Sequence, residues 1–454
     1  MKLIKPGPLF TKEEISNLIG ADFQTSIKDF SISTDSREVS ENQIFVPLKG
    51  EKFDGHNFIN EILSTLKNTI SICEKSKLQK IDHKHRQRLL VVDNALNSYH
   101  LLANHYRKKV DPIVIAITGS SGKTTTKELI SAVLSVKYKV HKTEGNNNNE
   151  YGVPKTILEM PKDTEVLVLE LAMRAKGEIR TLSKIAEPDI AVITNIGTAH
   201  IGKLGSVKNI LEAKSEIIEC LNKDGLLIAN NDRKLVQHLK KIWRGKLATF
   251  NLDQVSYVNF EGNKTSFGIT FKDMIHEEYT IKAIGKTQIL NSLSAVLLAK
   301  YLDLSRAEIQ KGLFSFEIPN GRGNIIELGG KIFLVDESYN ANPDSVKAAV
   351  CNVIDGFKDY KKILVLGELA ELGKYEEELL LDLRKWLVDK PLDKILFIGD
   401  KMDGLGFSHA NNIETCIEVL KREIKPPVVI LVKGSRIAGL EKLVEQLKNM
   451  RSKA

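Results

Sequence analysis

Between an apolar run, IVIAIT, and a segment with helical apolar spacing, TTKELISAVL, stands Gly119-Ser-Ser-Gly122-Lys123-Thr124. That strand, loop, helix order is what a phosphate cradle needs. The glycines let backbone N–H groups turn onto phosphate oxygens, and the helix N-terminus adds its positive dipole end. Lys123 supplies a point charge, and the Thr124 hydroxyl is a ligand for Mg2+. Gly119, Ser120, Ser121, Gly122, Lys123, Thr124 and Thr125 are the expected nucleotide contacts. The loop departs from the Walker pattern by one residue, because Ile117 stands where the first glycine belongs.

Phosphate chemistry also needs acids and cations around the cradle. Glu170 ends the apolar run EVLVLE, where a carboxylate can hold Mg2+ and where an acid without a partner would be costly. His200 follows DIAVITNI in a glycine-punctuated loop, within reach of a second metal; taken alone it reads as a packed histidine. Lys214, in ILEAKSEIIECL, taken alone reads as a solvated lysine. In the C-terminal half, Arg322, Asp336, Asn340, Lys433 and Arg436 occupy turn-like stretches beside strand ends. Clustered there, they can close over phosphates or bind a carboxylate in bidentate fashion.

Two series of apolar strands separated by amphipathic helices position these residues, so the expected fold class is α/β in three domains. Residues 1–109 read as a small mixed α/β module, in which Thr11 caps the helix KEEISNLIG with Glu14 three residues on. Residues 110–317, with the helix-breaking Asp111-Pro112 at their boundary, carry the P-loop in a doubly wound, mostly parallel sheet. A peripheral antiparallel hairpin is expected between Thr249 and Tyr279, and a helix from near Gln288. Residues 318–454 form a second α/β domain with the strands KIFLVDES, KKILVLGEL, KILFIGD and PVVILVKGS.

The 454 residues are 42% hydrophobic and 27% charged, a composition that supports large cores. The formal charge of +8 comes from scattered lysines without a basic stripe, which suits anionic small substrates at least as well as nucleic acid. Cys73, Cys220, Cys351 and Cys416 lie far apart with no CxxC pair, which indicates neither zinc nor a disulfide framework. MKLIKPGPLF is too short and too soon interrupted by proline for a signal peptide, and no apolar run spans a membrane. A cytoplasmic protein is expected.

ITGSSGKTTTKEL, KTEGNNNNEYGVP, LELAMRAKGEI, TNIGTAHIGKLGS, EAKSEI, GRG, DESYNANPDS, GELAELG and KGSR, in this order, resemble the Mur ligase family over nearly the whole chain. Within it, GNNNNEYGVP and YNANPDS resemble the branch that adds D-alanyl-D-alanine to UDP-N-acetylmuramoyl-tripeptide. The resemblance implies a UDP-substrate module, a central ATPase and a Rossmann-like C-terminal domain that brings in the dipeptide. It implies an ATP-dependent ligase of peptidoglycan synthesis that forms an amide through an acyl phosphate, with ATP and two Mg2+ ions. Thr124, Glu170 and His200 are the implied metal ligands, joined by Lys214, which is carbamylated in several relatives. Lys123, Lys214, His200 and Arg322 are the implied catalytic set. Arg322 would meet the γ-phosphate, Asn291 the adenine, and Asp336 and Tyr339 the nucleotide from the C-terminal side. Ser36, Arg37, Lys49, Asp54 and His56 would hold the UDP part. Asn147, Asn148 and Arg174 would hold the muramoyl-peptide, with Asn340 and Asn342 also at substrate. Thr287-Gln288 departs from the His-Asn common in relatives, which leaves contacts from Gln288 open.

Small-molecule substrates are therefore expected as partners, with no nucleic acid, no membrane insertion and a monomeric state. Two other readings stay open: a sibling ligase adding one amino acid, and a P-loop protein that uses ATP as a switch to bind partners or nucleic acid.

Overall fold

Short runs of β-branched and aromatic residues between polar loops give the N-terminal sheet five strands: β1 (Phe10–Thr11), β2 (Asp29–Ser33), β3 (Gln43–Phe45), β4 (Ile70–Glu74) and β5 (Leu89–Val92). They lie in sequence order, with β1 antiparallel to β2 and the rest parallel. The computed structural model describes residues 9–450 apart from 21, 22, 24, 26, 51, 272, 273 and 400–406. Most of MKLIKPGPLF, and Asp400 at the end of KILFIGD, lie outside the described residues. Thr11 caps the helix Lys12–Ile19 as the sequence predicts: its hydroxyl accepts from the Glu14 amide, and Glu14 Oε2 accepts from the Thr11 amide at 2.7 Å. The helix Ala95–Val110 ends at Asp111, in the left-handed region (φ 53°), just before Pro112. Its buried Tyr99, Leu102 and Tyr106 share one core with Val114 and Val153, so the first two domains are packed as one body.

The central sheet comprises β6 (Ile113–Thr118), β7 (Val140–Lys142), β8 (Val166–Glu170), β9 (Ile190–Ile193), β10 (Leu226–Asn230) and β11 (Lys246–Phe250). All pairs are parallel, in the order β11-β10-β9-β6-β8-β7. The chain therefore reverses direction at β6, and the crevice beyond its carboxyl end is where a doubly wound sheet receives ligands. Helices Lys123–Leu134 and Lys286–Tyr301 cover one face through Leu129, Val133, Ile289 and Val296. The expected hairpin is a three-stranded antiparallel meander, β12 (Val255–Glu261), β13 (Lys264–Thr270) and β14 (His276–Ile281). The alternation HEEYTI buries Glu277, Tyr279 and Ile281, and Lys300 pairs with the Glu277 carboxylate that this face would otherwise strand.

The C-terminal sheet has the order β15-β16-β20-β17-β18-β19. Its strands are β15 (Asn324–Gly329), β16 (Ile332–Glu337), β17 (Lys361–Gly367), β18 (Lys394–Ile398), β19 (Ser408–Ala410) and β20 (Val428–Lys433). Only β15 is antiparallel, paired with β16. Beyond the packed strands, this domain docks on residues 198–205 of the central one. Asp344 Oδ2 accepts from the amide and hydroxyl of Thr198 at 2.7 and 2.8 Å, the Glu371 carbonyl from the Gly202 amide at 3.1 Å, and the Gly205 carbonyl from the Tyr375 hydroxyl. A Cβ on Gly202 would lie 2.7 Å from both the Glu371 oxygen and the Gly373 nitrogen. Gly202→Val is therefore expected to separate the two domains while each stays folded. In solution scattering the radius of gyration should rise with little change in melting temperature; unchanged dimensions would contradict this docking.

Candidate active site

β6 runs straight into the P-loop, and the loop after β9 braces it. The Ser120 amide donates to the Asn195 carbonyl at 3.1 Å, the Ser121 amide to Asn195 Oδ1 at 3.0 Å, and the Thr194 hydroxyl to the Ser121 carbonyl at 2.6 Å. A Cβ at Gly119 would sit 1.8 Å from Thr194 Oγ1, so only glycine permits this approach. Gly122 (φ 77°) opens the helix Lys123–Leu134, and a Cβ there would meet Asn291 Oδ1 at 2.8 Å. Thr194 and Asn195, which the sequence does not single out, thus hold this shortened loop in place.

The Gly119 carbonyl accepts from two lysines, Lys123 Nζ at 3.0 Å and Lys214 Nζ at 2.8 Å. Lys123 is half-buried, and its enclosure lowers its pKa, with Glu170 opposing and Arg322 adding to the shift. Lys214 is 1% exposed, and burial, then the like charge of Lys123, pulls its pKa well below the ordinary lysine value. The reading of Lys214 as a solvated lysine is therefore corrected. The signal was present: on the helix Val207–Ser215, Lys214 falls four residues after the buried Ile210, on the same inward stripe.

Above this pair lies a cleft of about 670 Å3 between the central and C-terminal domains. Ser120 to Thr125, Asn148, Glu170, Arg174, His200, Asn291, Arg322, Tyr339, Asn340 and Asn342 all line it. Glu170 is 3% exposed; its Oε1 accepts from Asn148 Nδ2 at 2.8 Å, and its Oε2 is buried without a hydrogen-bond partner. An orphaned carboxylate oxygen on the cleft that the Thr124 hydroxyl also lines is the donor chemistry of Mg2+. Among the described residues no cluster of three His, Cys, Asp or Glu forms a complete cage, so substrate phosphates and water would have to fill the other positions. Arg322 stacks on Tyr339, 3.9 Å from the ring centre, and its Nη2 reaches Thr124 Oγ1 at 3.4 Å.

Some expected residues lie elsewhere. Asp336 does not line the cleft: its Oδ1 accepts from the Ser338 amide and hydroxyl, and the neighbouring Glu337 faces the cleft instead. Asn147 backs onto Gly152. Ser36, Arg37, Lys49, Asp54 and His56 lie in the N-terminal domain outside the cleft. Arg37 forks onto Asp35, while His56, 5% exposed, sits 2.7 Å from Asp54 through Nδ1 and accepts from the Glu74 amide through Nε2. The Lys49 carbonyl accepts from the hydroxyl of Tyr151 in the central domain at 3.1 Å. Glu371 was missed: its Oε2 lies 2.6 Å from His200 Nδ1, and that contact holds Glu371 below the usual carboxylate range against the upward push of burial. Gln288 is buried at the cleft wall with Oε1 unpartnered among the described residues, and Thr287 bonds Asn352 of the C-terminal domain.

Family models described as the Mur ligase catalytic domain, the Mur ligase middle domain and the Mur ligase glutamate ligase domain match residues 31–112, 117–299 and 321–436. The chain belongs to the Mur ligase family. It is 33% identical over 428 residues to the UDP-N-acetylmuramoyl-tripeptide–D-alanyl-D-alanine ligase of Bacillus subtilis (strain 168), covering 92% of each chain. To the enzyme of that name from Escherichia coli (strain K12) it is 30% identical over 455 residues, covering 96% of this chain and 98% of the relative. Crystal structure I of MurF from Acinetobacter baumannii superposes with a TM-score of 0.86 at 29% identity, covering 98% of this chain and all of that one. The MurF ligase from Thermotoga maritima in complex with ADP gives 0.83 at 28%, covering 93% and 98%. A UDP-N-acetylmuramoyl-L-alanyl-D-glutamate–2,6-diaminopimelate ligase shares the fold alone, at 0.57 and 15%.

In this Mur ligase the lysine pair makes a pH prediction. An unmodified Lys214 binds its proton more weakly folded than unfolded, so its contribution to stability falls as pH drops from about 10.4, the unfolded value. Melting temperatures of Lys214→Met and of the parent, in buffer freed of carbon dioxide, should therefore shift in favour of the variant between pH 10 and pH 7. A pH-independent difference would show that Lys214 keeps its charge in the fold.

Proposed function

We propose that this chain joins D-alanyl-D-alanine to UDP-N-acetylmuramoyl-tripeptide with consumption of ATP, giving the UDP-muramoyl-pentapeptide of peptidoglycan synthesis. The observation that carries this reading is a phosphate cradle and the YNAN and KGSR turns facing one another across a single cleft. Full-length similarity to ligases of that name supports the choice of substrates. Residues 1–109 hold the UDP end, through the Ser36–Arg37 turn and the Lys49 to His56 stretch, with Asp54 and His56 shaping that surface through their mutual contact. Residues 110–317 hold ATP, and residues 318–454 deliver the dipeptide.

The chemistry is mainly charge control, since a carboxylate must approach a triphosphate. A carboxylate oxygen of the tripeptide attacks the γ-phosphorus and ADP leaves; the dipeptide amine, after losing a proton, attacks the acyl carbon and phosphate leaves. Lys123 exchanges the Gly119 carbonyl for a phosphate oxygen, and Arg322, held by its stack on Tyr339, meets the γ-phosphate from the other side. Asn291 stands behind Gly122 at the adenine side. Glu170, Thr124 and His200 are the residues that would hold Mg2+, which supplies charge neutralisation between the phosphates and the incoming carboxylate. Asn148 and Arg174 face the muramoyl-peptide, and Asn340 and Asn342 the acceptor.

Lys214 is suited to carbamylation, because a buried amine with a lowered pKa is the free nucleophile that carbon dioxide requires. The carbamate would place an anion beside Lys123 in place of a second cation. A cytoplasmic monomer acting on soluble nucleotide substrates is part of this proposal.

Phosphate release from ATP should require both UDP-N-acetylmuramoyl-tripeptide and D-alanyl-D-alanine, and equal turnover with a single amino acid would assign the chain to a sibling activity. Lys123→Ala should lower turnover by about a hundred- to a thousandfold with the circular dichroism spectrum intact. Turnover lost in Lys214→Ala should return on adding formate or acetate; failure of every short carboxylic acid to restore it would remove the carbamate from the mechanism.

A further inference from the structure

The turn after β20 carries a cation that the phosphate chemistry leaves uncommitted. Lys433 is 2% exposed, and its Nζ donates to Glu337 Oε2 at 3.0 Å and to the Asn340 carbonyl at 3.2 Å, so its charge is already answered. The Ser435 amide and hydroxyl both donate to the Glu368 carbonyl. These bonds fix the turn from two sides and give Arg436 a rigid mount on the cleft wall. Tyr339 separates two guanidinium groups: Arg322 at 3.9 Å from the ring centre reaches toward Thr124, while Arg436 stands at 5.6 Å. The Arg436 side chain is 66% exposed, and its nearest carboxylate, Glu441, is 3.8 Å away, too far to satisfy its fork. Beside it Ile437 also lines the cleft, 69% exposed.

A guanidinium fork next to an exposed aliphatic side chain fits a small carboxylate that carries a methyl group. An extended dipeptide spans up to about 7 Å, so its terminal carboxylate lies well away from the reacting amine and needs a cation of its own. We propose that Arg436 receives the terminal carboxylate of the incoming D-alanyl-D-alanine in bidentate fashion, with Ile437 against the adjacent methyl, and so sets the requirement for a free acid in the acceptor. This rests on the function proposed above and names the acceptor end of the same cleft.

The test compares D-alanyl-D-alanine with its C-terminal amide as acceptor, in the parent enzyme and in Arg436→Gln and Arg436→Lys, at saturating ATP and UDP-muramoyl-tripeptide. The parent should prefer the acid by on the order of ten- to a hundredfold in kcat/KM, the worth of a charge-assisted hydrogen-bonded pair. Arg436→Gln should bring the acid down to the level of the amide, through KM for the acceptor, with KM for ATP unchanged. Arg436→Lys should retain part of the preference, since it keeps the charge and loses the fork. A preference that survives in Arg436→Gln, or a change in KM for ATP alone, overturns the proposal. A parent enzyme inactive with D-alanyl-D-alanine would instead overturn the function on which it rests. The exposure of Arg436 makes loss of folding an unexpected outcome, and the melting temperature of each variant checks it.

Discussion

Two lysine nitrogens sharing one carbonyl oxygen set the electrostatics of this molecule. Lys123 and Lys214 both reach Gly119 O, which places their nitrogens within about 6 Å of each other. Two unit charges at that distance would repel by about 3 kcal/mol in a partly screened interior, a cost that adds to burial in disfavouring the charged form of Lys214. Burial is the largest cause that lowers both pKa values; the like charge of Lys123 adds to it at Lys214, while at Lys123 Arg322 adds to it and Glu170 and Glu371 oppose it. Lys123 makes its hydrogen bond to a neutral carbonyl, and the orphaned Glu170 oxygen on the same cleft makes none. Phosphate with its counter-ion answers both, so the sequence order Gly119, Lys123, Glu170, Lys214 describes a charge pattern that nucleotide binding completes.

How much of this could be read from the chain alone depended on whether the determining forces were local. Apolar runs such as IVIAIT and EVLVLE announced the central strands because burial on both faces of a parallel sheet admits little else. The cradle was legible for the same reason, since Gly119 to Thr124 carries its chemistry within one turn. Thr194 and Asn195 were not, because their role is to brace a loop more than seventy positions earlier, and polar residues after a strand look alike until the partner is known. The exchange of Asp336 for Glu337 at the cleft reflects a strand end: Asp336 turns its carboxylate back onto Ser338, and nothing in VDES distinguishes the acid that does so. Lys214 could have been recognised from helix geometry, had its spacing from Ile210 been weighed against its charge.

The docking of the C-terminal domain is backbone chemistry made possible by missing side chains. Gly197 lies where a Cβ would be 2.7 Å from Asp344 Oδ2, and Gly202 where one would meet the Glu371 and Gly373 backbone. What joins the domains there is a handful of hydrogen bonds, each worth about 1 kcal/mol net. A surface of that strength lies within the range that substrate binding can shift, which fits an enzyme that must admit three substrates and then close. The 2.6 Å contact of His200 with Glu371 ties the same docking to a side chain inside the cleft.

That coupling has a chemical reason. An acyl phosphate is as open to water as to an amine, so a ligase must hold its donor half and its acceptor half together while the intermediate exists. In the proposed arrangement the donor half rests on the central sheet and the acceptor half on the C-terminal one, and Tyr339 lies on the cleft between them with Arg322 and Arg436 at 3.9 and 5.6 Å from its ring centre. Arg322 reaches Thr124, and Arg436, largely exposed, lines the same cleft. Because Arg322, Tyr339 and Arg436 all belong to the C-terminal domain, a movement of that domain over the P-loop would, on the proposed roles, carry the phosphate-side and acceptor-side cations together.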